Sequence, residues 1–266
     1  MTEADLCLCR VDRGVAVLSF NRPDSMNGMT GDMEVAYFNR LREMEADPAV
    51  KVIVVTGEGR GFCPGADLAH RPGDDEQPLP NKLLERTTPL DIRKPMIAAI
   101  NGACAGVGLA YALQCDIRFA AAGAKFTTAF ARRGLIGEYG MAWLLSHIAG
   151  RAVALDLLLS ARVVRSEEAA ELGLVHGVFE GAVLMDHVMN YALDMAANVS
   201  PASAATIKMQ VNTEVPMTGH EATAHAEALM HESLAGADVV EGISSFLEKR
   251  KVNFAPLGEG TTFSWF

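Results

Sequence analysis

Two stretches of this 266-residue chain place glycines directly after apolar runs: residues 57–68, GEGRGFCPGADL, and residues 101–116, NGACAGVGLAYALQCD. Turns of this kind expose main-chain N–H groups. The second also opens a helix, whose N-terminal partial positive charge favours a developing anion. Two such turns could hold one oxyanion between them. Singly, each is an ordinary strand-to-helix connection. The run AGVGLA departs from G-x-G-x-x-G spacing and lacks the later acidic partner of a dinucleotide site, and the chain contains neither a G-x-S-x-G elbow nor a Walker sequence.

Metal and thiol chemistry have less support. Cys7 and Cys9, two apart, face one side of a strand, and no His or second Cys pair lies at ligand spacing nearby. His220, His225 and His231 are five and six apart, which does not make the i, i+4 pair a helix needs to chelate a metal. Five cysteines, an odd number, read as core packing and not as a disulfide framework.

With 33 acidic and 23 basic residues the net charge is −10, and no Lys/Arg block is dense enough to track phosphates, so no nucleic-acid partner is expected. The start, MTEADLCLCR, has no basic-then-apolar leader pattern, and the expectation is a cytoplasmic protein. Residues 96–113 are long and nearly uncharged. Asn101, Gly102, Gly106 and Gly108 make them a strand, a turn and a helix; no membrane span is expected.

The turns must be positioned by the elements around them. LCLCRV and GVAVLSF read as a hairpin, residues 31–44 as an amphipathic helix, and KVIVVTG as a strand buried on both faces. IAAINGA reads as a further strand, GVGLAYALQ as a helix, and DIRFAA and AKFTT as short strands, which together predict a layered α/β core. Beyond Phe130 the pattern is helical: AWLLSHIAG, VALDLLLSA, EEAAELG, then residues 182–198, 201–213, 221–234 and 239–251. Residues 70–91 carry four prolines and several acids, and read either as a lid over a site or as a solvated insertion.

The motifs SFNRPDSMNGM, GRGFCPGADL, INGACAGVGLAYALQCDIRFAA, KFTTAFARRGLI and EGISSFLEKRKVNF, in this order over about residues 11–254, resemble the crotonase (enoyl-CoA hydratase/isomerase) superfamily. The resemblance implies a ββα spiral core over residues 1–200 and a C-terminal helical region, 201–266, that builds homotrimers or dimers of trimers. It also implies a coenzyme A thioester as substrate, with coenzyme A entering as part of that substrate and no separate cofactor. The two N–H groups for the thioester oxygen fall by motif at Ala66 and Val107. Their side chains are secondary, although Val107, where relatives commonly carry Gly, narrows the space above its N–H.

The two glutamates that hydratases of the family use correspond to Ala110 and Phe130, which cannot move a proton. One carboxylate remains, Glu138 in GLIGEYGMAWLL, at about the place where some isomerases of the family carry a lone acidic base. A single base suffices to move a proton from C2 to C4, and Phe130, Ile136 and Trp143 are expected to desolvate it. The plain alternative is that Glu138 caps the following helix.

Substrate contacts implied by the resemblance are Asp24, Met26, Pro64, Asp67, Leu68, Gly106, Phe130, Tyr139, Phe246 and Lys249, the last two from a neighbouring subunit. Asp67 is also expected to stabilise its turn, Asp116 to be structural, and Tyr139 either to donate to substrate or to pack. Lys249, Arg250 and Lys251 either neutralise phosphates or form the basic last turn of a helix. Arg132 and Arg133 read as a solvated face or an interface contact, and His147, on a helix with apolar neighbours, as a satisfied core or interface histidine. The reading is an enoyl-CoA isomerase. Its alternatives are an enoyl-CoA hydratase in which Glu138 replaces the missing pair, and an acyl-CoA binding protein without turnover.

Overall fold

The structure, a computed structural model, describes residues 3–68 and 86–266. Strands β1 (Cys7–Asp12) and β2 (Val15–Phe20) form the antiparallel hairpin, turning at Arg13 and Gly14, both at positive φ. This is the twist that two-residue hairpin turns require. From β2 onward the large sheet is parallel: β3 (Val52–Gly57), β5 (Met96–Ile100), β7 (Ile117–Ala121) and β10 (Gly177–Phe179), in the order β1-β2-β3-β5-β7-β10. A smaller sheet contains β4 (Gly61–Cys63), β6 (Ala103–Ala105), β8 (Lys125–Thr127) and β9 (Val164–Arg165), with β4, β6 and β8 parallel. Each turn of the spiral therefore gives one strand to each sheet: β3 then β4, β5 then β6, β7 then β8.

IAAINGA, read as one strand, is divided between β5 and β6. At the crossing, Asn101 Nδ2 donates to the carbonyls of Gly57 and Gly59 at 2.7 and 2.9 Å, so the second crossing is tied to the first. The stretch 96–113 is thus strand, strand and helix.

The helices are α1 (Glu3–Leu6), α2 (Gly31–Ala46), α3 (Thr88–Asp91), α4 (Val107–Leu113), α5 (Met141–Ser160), α6 (Ser166–Glu171), α7 (Gly181–Asn198), α8 (Pro201–Glu214), α9 (Gly219–Ala235) and α10 (Ala237–Glu248). Helix α5 is long and apolar enough to cross a membrane by length and composition alone, but Gly150 (φ 80°, ψ 161°) breaks it at the boundary between the two apolar segments read in the sequence.

Alternation along the strands divides the core in two. Val15, Val52, Val54, Ile97 and Ala99 meet the α7 stripe of Leu184, Val188, Ala192 and Ala196. Leu18, Ile53, Val55, Ala98 and Ile100 face the other way, into a larger core with α2, α4 and α5. Each strand of the large sheet buried on both faces reads as a continuous apolar run for this reason. Helix α8 is clamped to the sheet where Lys208 Nζ meets Asp116 Oδ2 at 2.8 Å and Asp116 accepts the Met96 N–H at 2.7 Å, the structural role expected of Asp116.

Candidate active site

The first glycine turn leaves β4 and runs beside residue 29. Met29 N–H donates to Gly65 O (2.9 Å), and Asp67 N–H donates to Met29 O (2.8 Å), a parallel bridge in which Ala66 is the intervening residue. In that pattern the Ala66 N–H points away from residue 29. The turn is fastened by Asp67, whose Oδ2 accepts from Arg22 Nη2 at 2.9 Å, while Arg22 Nη1 donates to Gly28 O. Asn27, buried at φ 65°, adds three bonds: its Nδ2 donates to Glu58 O and Gly61 O, and its Oδ1 accepts from Arg22 N–H.

The second turn follows β6, which pairs with β4. Gly106 adopts φ 51°, ψ −122°, and its N–H donates to Thr127 O at 3.1 Å. That left-handed geometry reverses the chain so that Val107 becomes the first residue of α4, with no intrahelical acceptor for its N–H. Neither the Ala66 nor the Val107 N–H finds an acceptor among the described residues. A Cβ on Gly106 would lie 3.7 Å from Gly65 Cα, so the two turns approach to within the space of one methyl group. A Cβ on Gly108 would lie 2.2 Å from the carbonyl oxygen of Cys63, which is how closely α4 approaches β4. The Val107 side chain is buried in the main core.

Ala110 and Phe130, at the positions of the hydratase glutamates, are buried in the same core. Glu138 is half-buried, and its carbonyl accepts the Met141 N–H at 2.9 Å. Helix α5 starts from Gly140 with no side-chain cap, so the capping role is not the one Glu138 plays. The expected apolar enclosure is incomplete. Phe130 is buried, but Ile136 is 80% exposed, and Trp143 is exposed and lies against His147 with ring centroids 4.2 Å apart. These two residues lie on an open segment and at the solvent side of α5, where they cannot close over a carboxylate.

A family model described as enoyl-CoA hydratase/isomerase matches residues 10–256. The chain belongs to the crotonase superfamily. It is 35% identical to the 1,2-epoxyphenylacetyl-CoA isomerase of Escherichia coli over 94% of this chain and 98% of that protein. An enoyl-CoA hydratase structure from Bacillus anthracis superposes with a TM-score of 0.88 at 26% identity, covering 94% of this chain and 99% of that one. An enoyl-CoA hydratase structure from Mycobacterium marinum is 46% identical, with a TM-score of 0.69, covering 80% of this chain and 99% of that one.

In this crotonase-family chain the remaining positions fall into separate groups. Asp24 is exposed on the 3-10 turn Pro23–Ser25, and Met26 follows it at φ 53°. Pro64 is half-buried beside the first turn, and Leu68 is exposed at the last described residue before the gap. Most of the Pro-rich loop, residues 69–85, lies outside the described residues, and so does the reading of it as a lid. Phe246 is 81% exposed on α10. That helix ends at Glu248 with Lys249 in the left-handed region, so residues 249–251 lie past the helix and do not form its last turn. Arg250 is already engaged, with its Nη1 at 2.6 Å from Glu241 Oε1 and its Nε at 2.7 Å from Glu248 Oε2. Arg132 and Arg133 are exposed and donate to Ser160 O and Ala129 O.

One group escaped the sequence reading. Glu34, in the first turn of α2, is 6% exposed, accepts the Tyr111 hydroxyl at 2.5 Å, and has Arg86 Nε at 3.7 Å. Burial, followed by the Glu34 charge, holds the phenols of Tyr111 and Tyr139 above their ordinary range. An acid in a first turn reads as a favourable dipole partner in solvent. The available signal was its spacing with Phe38 and Leu41, which places it on the apolar stripe. A cavity of about 670 Å³ opens at the far end of α4, lined in part by Leu113, Gln114, Trp143, Ile207 and Val211, and contains none of Ala66, Val107 or Glu138.

Proposed function

We propose that this chain is an enoyl-CoA isomerase. The thioester oxygen accepts hydrogen bonds from the Ala66 and Val107 N–H groups. The Glu138 carboxylate takes a proton from C2 of a 3-enoyl thioester, and the released electron pair passes through the carbonyl to give a dienolate with its charge on the held oxygen. The same carboxyl group then returns the proton to C4 as the double bond settles between C2 and C3, so atoms and charge balance with no other reactant. Preorganised donors of this kind lower such a barrier by about 3–4 kcal/mol each. The proton returns to C4, the far carbon of the dienolate, onto which conjugation delivers electron density, and one carboxylate serves as base and then as acid.

The observation carrying this reading is a pair of closely approaching turns with two main-chain donors that have no acceptor among the described residues, beside a chain that keeps Glu138 and has Ala110 and Phe130 where water activation would need carboxylates. The Escherichia coli relative is named as an isomerase of a coenzyme A thioester, 1,2-epoxyphenylacetyl-CoA, which supports an isomerase, while other relatives carry the name enoyl-CoA hydratase. In a homotrimer, Phe246 and Lys249 of a neighbouring subunit contact the coenzyme A portion.

The test is to offer 3-enoyl-CoA and trans-2-enoyl-CoA separately and follow conjugation absorbance and product mass. The native protein converts the first without a gain of 18 mass units, and Glu138→Gln loses at least about a hundredfold in kcat, within the range for a general acid–base group. Water addition that survives the substitution contradicts the reading. Saturable binding of both thioesters without turnover identifies a binding protein instead.

A further inference from the structure

A buried carboxylate at the start of α2 has no part in the proton transfer above, yet it is linked to both elements that carry the transfer. Tyr111, which donates to Glu34 at 2.5 Å, lies one turn along α4 from Val107. Arg86, with its Nε 3.7 Å from Glu34 Oε1, lies over the ring of Tyr139, which directly follows Glu138. The two tyrosine rings meet edge to face at 5.8 Å, and the Arg86 guanidinium covers the Tyr139 ring at 4.4 Å.

Tyr139 holds φ 56° and Gly140 φ 71°, immediately before α5 begins. A bulky residue persists in that region only where its surroundings over-determine it. The ring packing of Tyr111 and the cover of Arg86 restrain the Tyr139 ring, and Glu34 holds both of those side chains. The turn at 138–140 has no cap hydrogen bond from a side chain, so the Tyr139 side chain is its anchor to the body of the protein.

We propose that Glu34 is a positioning residue: by accepting the Tyr111 hydroxyl and pairing with Arg86 it clamps the Tyr139 ring between them, ties the 138–140 turn to α4 and so aims Glu138 at the oxyanion turns. The inference rests on Glu138 being the base. Glu34 acts through Tyr139 and touches no reacting atom.

This makes a specific pattern of losses. Glu34→Leu, which keeps the volume and removes the acceptor, and Tyr111→Phe, which keeps the ring and removes the hydroxyl, each lower kcat for 3-enoyl-CoA about tenfold or more with KM within about twofold. The double variant is no worse than either single one, because both remove the same tie. Glu34→Gln, which keeps an acceptor oxygen, recovers most of the loss. Circular dichroism and the melting temperature are read alongside. If Glu34→Leu fails to fold, Arg86→Met paired with Tyr111→Phe gives a cycle on the same clamp without touching α2.

Losses that multiply in the double variant, or that appear in KM alone, overturn the inference, as does Glu34→Leu with native kcat. Glu138→Gln run in parallel separates the two levels. An impaired Glu138→Gln beside an unimpaired Glu34→Leu overturns this inference and leaves the isomerase reading standing. An unimpaired Glu138→Gln overturns both.

Discussion

Main-chain donors at Ala66 and Val107 depend on how closely two pieces of backbone approach, and glycine sets that distance. Gly108 sits where any Cβ would lie 2.2 Å from Cys63 O and 2.6 Å from Cys63 Cβ, and neither atom belongs to a flexible side-chain end. Gly108→Ala must push α4 away from β4. The expected cost is about 1–3 kcal/mol of stability, the range for overpacking a filled interior. Activity should fall further than stability, because the shift moves the Val107 N–H. Denaturant unfolding and kcat measured on the same preparation check this, and a variant with native kcat would place the donor elsewhere. At this scale the sequence was informative about backbone and less so about side chains. The two glycine turns were readable because glycine after a strand has few uses. Glu34 was not, since its burial depends on Tyr111 and Tyr139 arriving from 77 and 105 residues away in the sequence. The apolar enclosure expected around Glu138 from Ile136 and Trp143 is incomplete for a related reason: both side chains are exposed, and sequence neighbours alone do not record which way a side chain faces.

At the scale of elements, the thiols report how tightly β1, β4, β6 and α4 are packed. Burial pushes Cys7, Cys63 and Cys115 up to about 12 and Cys104 well above its ordinary value, while half-buried Cys9 is raised less and rests against Met44 Sδ at 3.5 Å. The thiolate is the reactive form. With the pKa raised, the folded protein keeps these groups as thiols through neutral and mildly alkaline pH, whereas unfolded thiols ionise near their ordinary values. Alkylation at pH 8 should therefore be slow in the folded protein at Cys7, Cys63, Cys104 and Cys115, with Cys9 the first to react, and fast at all five in denaturant. Mass spectrometry of timed samples reads this directly; rapid native labelling of Cys63 would mean that β4 and its turn open readily. Element type and order were legible along most of the chain because period-2 and period-3.6 patterns are local. The division of IAAINGA between two sheets was not, because continuous apolar character does not record which sheet a strand joins. The end of α10 at Glu248 was also missed: Lys249 adopts a left-handed cap that glycine more often fills.

At the scale of the molecule, α10 presents Val240, Ile243, Phe246 and Leu247 to solvent in the isolated chain, the last two 81% and 73% exposed. The spacing i, i+3, i+6 and i+7 places them on one face. An apolar stripe of this kind marks an interaction surface, and a second copy of the chain is the partner implied by the resemblance. Leu247→Asp should weaken self-association at least tenfold, about 1.4 kcal/mol, as read by sedimentation across a concentration series, while leaving the far-ultraviolet spectrum unchanged. A native protein that sediments as a monomer at all concentrations removes this reading and the coenzyme A contacts assigned to Phe246 and Lys249.

The proposed proton transfer requires a thioester oxygen seated between the two glycine turns. A crystal structure with a non-isomerising acyl-CoA thioester bound measures it. The predicted result is an oxygen within about 2.7–3.1 Å of both the Ala66 and Val107 nitrogens, with the Glu138 carboxylate facing C2 of the acyl chain. A thioester oxygen bound by other donors, or a Glu138 carboxylate turned away from C2, contradicts it.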